Sequence, residues 1–336
     1  MIIEGREIGN YLKPYIISEI SCNHGGKIEA ALEMIEIAKW AGADAVKFQA
    51  YTADTLTLDC RKPDFIIQDG LWQGKTLYDL YRKTQTPFEW FPALFKHAKK
   101  IGITTFASVF DRSSVDMLGE LGCPAFKIAS MEIVDTPLIS YAAGTGKPLI
   151  ISTGMASQHE ISSAYAAVGK TPVAFLHCTS EYPQTVEWSS LCSIGKLRNT
   201  LRGDVPIGVS DHTSGNMVVP IAATAFGAAI IEKHLTLREN FKTEDEEFSL
   251  PPEPFKSMVK VVETTYEAMK EREFSSNPTR QLRRSLYAAE DIKEGEQFTD
   301  HNIRSIRPGF GLSPSHINNF IGKRAFKGYR KGDRIT

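Results

Sequence analysis

The sequence lacks the marks of a membrane, nucleic-acid-binding or disulfide-framed protein. No apolar run approaches the ~20 residues needed to span a bilayer. The N-terminal MIIEGREIGN has no basic stretch followed by an apolar one, so no secretory leader is expected. Charge of one sign is not in excess: 39 Lys and Arg stand against 40 Asp and Glu, a net charge of -1. Without a global basic field, neither nucleic acid nor an anionic membrane is an expected partner, and any anionic ligand must be met by a local cluster. Cysteine is scarce and odd in number. Cys22, Cys60, Cys123, Cys178 and Cys192 form no CxxC, which favours free thiols in a reducing, cytoplasmic setting over a disulfide frame or a structural zinc site. No GxGxxG follows the first apolar strand, so a dinucleotide site is not supported. Tandem repeats and low-complexity tracts are also lacking.

What remains is an ordinary globular composition, 42% apolar and 24% charged over 336 residues. At ~150 residues per domain, that length suits two domains, or one large barrel with an appendage. Eight short β-rich runs stand out, at 14–20, 44–50, 103–109, 125–130, 148–153, 172–178, 206–210 and 228–235. Amphipathic stretches separate them, such as Ile28 to Trp40, Pro87 to Lys100, Ser113 to Leu121 and Gln158 to Val168. Several strands are continuously apolar, as buried parallel strands are. Eight β/α units in about 250 residues predict a (β/α)8 TIM barrel, with an open doubly wound sheet as the alternative. A long helix from Glu253 to Glu271 closes the barrel domain, 1–273. FSSNPTRQ (274–281) reads as a linker, and 282–336 as a small, turn-rich, mostly-β module. Such a module has little core of its own, so docking against a barrel is expected.

Polar residues cluster where the strands end: Glu19 and Asn23, Lys47 and Gln49, Ser108, Lys127 and Ser130, Ser152, His177, Ser210, His212 and His234. In a barrel these ends share one face, where the chemistry sits. Lys47 and Lys127 fall inside the strand register, where a desolvated ammonium is costly unless an anion meets it. Together they point to a small polyanion, such as a phosphate with a carboxylate. A buried salt bridge and a Schiff-base lysine are the alternatives. His212 and His234 end adjacent strands beside Glu19 and Asp211 and could face one metal, or be structural. With few nitrogen ligands and no thiolates, Mn2+ or Mg2+ fits better than structural zinc. Glu132, close to Lys127, suits a general acid or base; a helix cap or lysine partner is the alternative for it and for Glu19. Cys178 reads as a small buried filler rather than a nucleophile. The acidic run Glu244–Glu247 would hang over the barrel mouth, where one carboxylate can bind sugar hydroxyls. Arg307 precedes a Pro-Gly turn that presents it from a rigid loop.

In chain order, SEISCNHGG, AVKFQ, FKIAS, ISTGM, LHCTSEYP, SDHTSG and EKHLT resemble the motifs of the sialic acid synthase family. IRPGFGLSP followed by IGK resembles that family's C-terminal antifreeze-like (SAF) domain. The resemblance covers nearly the whole chain. It implies a (β/α)8 barrel followed by the SAF domain, in a domain-swapped homodimer. The implied reaction joins phosphoenolpyruvate to an open-chain N-acetylated amino sugar. The enol carbon attacks an aldehyde polarised by a divalent ion, water adds to the central carbon of phosphoenolpyruvate, and phosphate leaves by C–O cleavage. On this resemblance Lys47, Lys127, Ser130, Ser152 and Ser210 bind phosphoenolpyruvate, with Ser108, Ser180 and Tyr182 as further contacts. His212 and His234 match the metal ligands. Glu19, Gln49 and Asp245 match positions that hold a metal-bound water or the sugar. Glu132 matches a proton-transfer carboxylate, and Arg307 an arginine offered across the dimer to the N-acetyl group. Glu132, Glu19, Lys47 and Lys127 form the implied catalytic set.

Two departures set the chain apart from sialic acid enzymes. Lys242 to Phe248 replaces a Gly-Pro-Asp segment, and Ser180 stands where an asparagine is usual. The insert at 70–91, with CTSEYP, RRSLY and SIRPGFGL, looks more like the pseudaminic acid synthase branch. That branch takes 2,4-diacetamido-2,4,6-trideoxy-L-altropyranose, whose C6 methyl suits an apolar wall built from Trp72, Tyr78 or Phe248. The same mechanism on the N-acetylneuraminate or legionaminate substrate is the alternative, and a non-catalytic carbohydrate-binding protein a more distant one.

Overall fold

Eight β-branched and aromatic runs pair in parallel and close on themselves. We label them β1 (Tyr15–Glu19), β2 (Ala45–Ala50), β3 (Thr104–Val109), β4 (Phe126–Ile128), β5 (Leu149–Ser152), β6 (Val173–His177), β7 (Ile207–Asp211) and β8 (Ile230–His234). The structure is a computed structural model and describes residues 1–179, 181–201, 204–270 and 278–336. The ring runs β8-β1-β2-β3-β4-β5-β6-β7 as a closed barrel. This is the predicted (β/α)8 barrel. β1, β7 and β8 are buried along their whole length, as expected when one face meets the barrel interior and the other the helices. Register aligns Glu19 with Lys47, Gln49 with Ser108, Ser108 with Lys127, and His234 with Glu19. Because side chains alternate with period two, Lys47 and Gln49 share the inner face, as do Glu232 and His234.

The helices are started and stopped by local chemistry. Asp111 and Ser157 each form a capping box at a helix start. Gly42 and Gly102 end helices Ile28–Ala41 and Phe91–Ile101 with φ of 89° and 73°, a left-handed conformation that glycine adopts without steric cost. Helix Ile28–Ala41 buries Ala30, Ala31, Met34, Ile35, Ala38 and Ala41, the stripe that helical periodicity requires. The last barrel helix is Pro252–Met269. Among the described residues, no helix is long and apolar enough to cross a membrane.

The chain divides into two compact units, 1–270 and 271–336. The smaller pairs β9 (Ser285–Ala288) antiparallel with β10 (Ile303–Ile306) and adds isolated bridges, among them Ile292 with Tyr329. Leu286, Ile292, Phe298, Ile303, Tyr329 and Ile335 form its separate core. Residues 274–277 of the predicted linker lie outside the described residues; Pro278–Leu282 form a short 3-10 turn.

Gly208 in β7 has no room for a side chain. An added Cβ would lie 2.4 Å from the Ile230 carbonyl oxygen in β8 and 2.8 Å from Leu176 Cδ2 in β6. Gly208→Ala should therefore destabilise the barrel by about 1–3 kcal/mol, measured as a fall in the urea midpoint with an unchanged slope.

Candidate active site

The C-terminal ends of the barrel strands open into a cavity of about 470 Å³. Its floor is charged and buried. Lys47 Nζ lies 2.8 Å from Glu19 Oε2 and 3.6 Å from Glu232 Oε2, and donates to Ser108 Oγ at 3.1 Å. Lys127 Nζ lies 3.5 Å from Glu232 Oε1, which also accepts from Ser210 Oγ at 2.8 Å. Gln49 Nε2 donates to Glu19 Oε1 at 3.0 Å. Glu232 thus stands between the two lysines. Burial opposes its ionisation, but Lys127 and Lys47 outweigh burial and hold its carboxyl below the usual carboxylate range. For Glu19 burial prevails over Lys47, and its pKa is raised. Lys127 is lowered by burial despite Glu232, so it gains most from a further anion. Burial opposes the charge on Lys47 as well, but Glu19 and Glu232 outweigh it and raise its pKa, so Lys127 is the less fully matched of the two ammonium groups.

Several polar atoms lack a partner. Ser152 Oγ, Glu132 Oε2, His212 Nδ1 and His234 Nδ1 are buried and make no hydrogen bond among the described residues, and their residues all line the cavity. Buried polar atoms without partners are costly, so this convergence suits a polar ligand. Burial raises the Glu132 carboxyl to about 7 against a smaller opposing effect of Lys127. Ser130 Oγ accepts from the Gly154 amide at 3.2 Å and lies 3.1 Å from Cys178 Sγ.

His212 and His234 face one another with ring centroids 5.3 Å apart. Burial lowers the His212 pKa to about 3 and holds that of His234 well below its ordinary value, so both rings are neutral, as metal ligands must be. Among the described residues, no group of three His, Cys, Asp or Glu converges as a ready-made metal site. Two neutral imidazoles with unpartnered nitrogens would suit a divalent ion between them. Asp245 Oδ2 lies 3.7 Å from His234 Nδ1, and burial raises the Asp245 pKa. Asp211, expected beside the histidines, is turned away. It follows Ser210 on β7, so alternation sends it to the outer face, where it pairs with Lys233 at 3.0 Å.

The acidic segment is pinned from below by Asn23. Its Nδ2 donates to Leu235 O and Ser249 Oγ, each at 2.8 Å, and its Oδ1 accepts from Thr243 Oγ1 at 2.5 Å. Glu244 pairs with Lys83 and lies 3.8 Å from Lys75, joining this segment to helix Leu77–Thr84. The outer wall is apolar: Leu56, Ile67, Trp72, Leu77, Leu80, Tyr81, Phe110 and Phe248. Phe248 packs 4.9 Å from the His234 ring, and Tyr182 4.5 Å from His212. Tyr78 does not join the lining. Leu77, Leu80, Tyr81 and Thr84 occupy one helical face, whereas the Tyr78 hydroxyl donates to Asp54 at 3.1 Å.

Of the predicted site residues, Glu19, Lys47, Gln49, Ser108, Lys127, Ser130, Glu132, Ser152, Tyr182, Ser210, His212, His234 and Asp245 all line this one cavity. Ser180 lies outside the described residues. Arg307 belongs to the second unit, exposed just after β10. Sequence reasoning missed Glu232 and Tyr81. Glu232 was within reach: it precedes His234 by two on a predicted strand and so must share its face.

Lys47→Met leaves Glu19 without its paired cation and Glu232 with Lys127 alone. Breaking a buried pair in this way costs about 3–5 kcal/mol. The deficit relative to the unaltered protein should be largest at pH 8 and shrink towards pH 4, as the orphaned carboxylates take up protons. Urea unfolding at both pH values measures it.

Comparison with known proteins agrees with this architecture. Residues 34–274 match the NeuB family, and residues 283–336 match the SAF domain. A protein of Campylobacter jejuni named pseudaminic acid synthase is 40% identical over 98% of this chain and 98% of its own length. The N,N'-diacetyllegionaminic acid synthase of the same species is 34% identical over 96% of this chain and 99% of its own. Among solved structures, the N-acetylneuraminic acid synthetase of Leptospira borgpetersenii superposes with a TM-score of 0.74 at 31% identity, covering 84% of this chain and 93% of that one. The matched family spans most of the barrel unit, from within helix Ile28–Ala41 onward, and the chain belongs to the NeuB family.

Proposed function

We propose that the barrel makes pseudaminic acid, condensing phosphoenolpyruvate with 2,4-diacetamido-2,4,6-trideoxy-L-altropyranose and releasing phosphate by C–O cleavage. The observation that carries this reading is one cavity with two ends: a floor bearing Lys47 and Lys127, the second with only a shared carboxylate partner, and an outer wall of Trp72, Leu77, Leu80 and Tyr81. The floor suits the carboxylate and phosphate of phosphoenolpyruvate, and the wall suits a sugar carrying a methyl and two acetamido groups. The greater identity to the pseudaminic than to the legionaminic relative supports the choice of sugar.

In this reading Lys47 and Lys127 bind the two anionic groups and hold the enol carbon toward the sugar aldehyde. Ser130, Ser152 and Ser210 supply hydroxyl donors around them, joined by Ser108, Tyr182 and Ser180. Glu232 keeps the lysines charged and spaced. His212 and His234 hold a divalent ion, Mn2+ or Mg2+, which when bound supplies Lewis acidity at the aldehyde oxygen. Glu19, Gln49 and Asp245 orient water and sugar hydroxyls. Carbon–carbon bond formation turns the aldehyde oxygen into one that needs a proton, and Glu132, with its carboxyl raised to about 7, delivers it. Water then adds at the central carbon of phosphoenolpyruvate with loss of one proton; the bond from that carbon to the phosphate oxygen breaks as the new hydroxyl loses its proton, leaving the ketone and free phosphate. We further infer a domain-swapped homodimer in which Arg307 serves the partner's cavity. Met131 and Met155, 54% and 66% exposed at its rim, support a cover of this kind. Five free thiols suit a cytoplasmic enzyme.

Phosphate release from phosphoenolpyruvate, with Mn2+ restored after chelation, tests the reading across three sugars. Release is expected with the trideoxy-altrose derivative. Release only with its legionaminate counterpart or with N-acetylmannosamine moves the enzyme to another branch, and silence with all three points to a non-catalytic protein. With Glu132 as the acid, the rate should fall as pH rises through about 7. Glu132→Gln should abolish that limb and lower the rate by about a hundredfold to ten-thousandfold; a limb that persists in the variant assigns the proton to another group.

A further inference from the structure

Outside the barrel interior, between β7 and β8, lies a charged pair that the chemistry above does not use. Lys233 Nζ is 3.0 Å from Asp211 Oδ2, and both side chains are fully buried. Lys233 also donates to the Thr213 carbonyl oxygen. Asp211 Oδ1 accepts from the Thr213 amide at 2.9 Å and from Thr213 Oγ1 at 2.7 Å. Lys233 therefore grips both chain neighbours of His212, while itself preceding His234. Asp211 and Lys233 are aligned partners in the ladder. The Asp211–Thr213 bonds close a small turn with His212 at its centre. On its far side the His212 carbonyl oxygen accepts from the Gln184 amide at 3.0 Å.

Stability alone is a poor reason for such a pair. Desolvating two charges costs as much as their attraction returns, and apolar residues of similar volume often do as well. What the pair supplies is position. Each strand sends its charged residue outward and the adjacent histidine inward, so locking the outer residues fixes the backbone from which both imidazoles project. We propose that Asp211 and Lys233 are positioning residues that set the spacing of His212 and His234 for a divalent ion. The inference rests on the metal reading given above.

The test is Mn2+ binding to the full-length, chelator-stripped protein without substrates, followed by the electron paramagnetic resonance signal of free Mn2+. The unaltered protein should show one site that His212→Ala removes. Asp211→Leu/Lys233→Met, which replaces the pair by apolar residues of similar size, should keep its fold by circular dichroism while its Kd for Mn2+ rises by about tenfold to a hundredfold. A purely structural pair would change the melting temperature and leave the Kd alone. A folded double variant with the unaltered Kd overturns the positioning role and leaves the metal reading standing. No His212-dependent site in the unaltered protein overturns both. Should the double variant fail to fold, Asp211→Asn, which keeps the volume and the acceptor to Thr213, is read the same way: a rise of about tenfold is expected, and an unchanged Kd overturns the proposal.

Discussion

The cost of taking charge out of water governs this molecule. Glu19, Lys47, Lys127 and Glu232 are all nearly inaccessible to solvent, and each would be prohibitive alone. They are tolerable because Glu232 stands between two ammonium groups and Glu19 braces one of them. The arrangement requires strands from opposite parts of the chain, β1, β2, β4 and β8, to meet at one level, which only a closed barrel provides. Fold and site are in this sense a single electrostatic solution. Lys127, whose one carboxylate partner is shared with Lys47, is what makes the floor a place for an anion.

Strand alternation does the rest of the placing. Ser210 and His212 turn inward with Glu232 and His234, while Asp211 and Lys233 turn outward and find each other. A polar cluster read along the sequence is thus two clusters in space, one facing substrate and one behind it. The outer apolar wall has a different origin. Apart from Phe110 and Phe248, it comes from the segment between β2 and β3, whose helix Leu77–Thr84 presents Leu77, Leu80, Tyr81 and Thr84 on one face.

Much of this was legible in the sequence because the signals were strong. All eight strands fall in short β-rich runs, several of them continuously apolar, and helix Gln158–Val168 begins and ends where its pattern does. Helices Thr136–Gly144, Ser193–Leu201 and Val218–Ala225 were not separately read. Two of them are short and rich in alanine or small residues, so their apolar period is weak, and they form by packing on strands already in place. At the site, lysines and histidines in strand register were conspicuous. Glu232 was hidden because a carboxylate next to a lysine reads as surface charge until alternation is applied. Tyr78 was preferred to Tyr81 because composition names a residue type but not a helical face.

The ion pair between Lys83 and Glu244 links the helix that builds the sugar-facing wall to the segment that carries Asp245. These are distant in the chain but mechanically one piece. Exchanging the wall for that of a relative would leave Glu244 without its partner and disturb the acidic segment as well. Wall and acidic segment therefore behave as two parts of one unit, and grafting either alone would transfer a shape without the ion pair that ties it to the other.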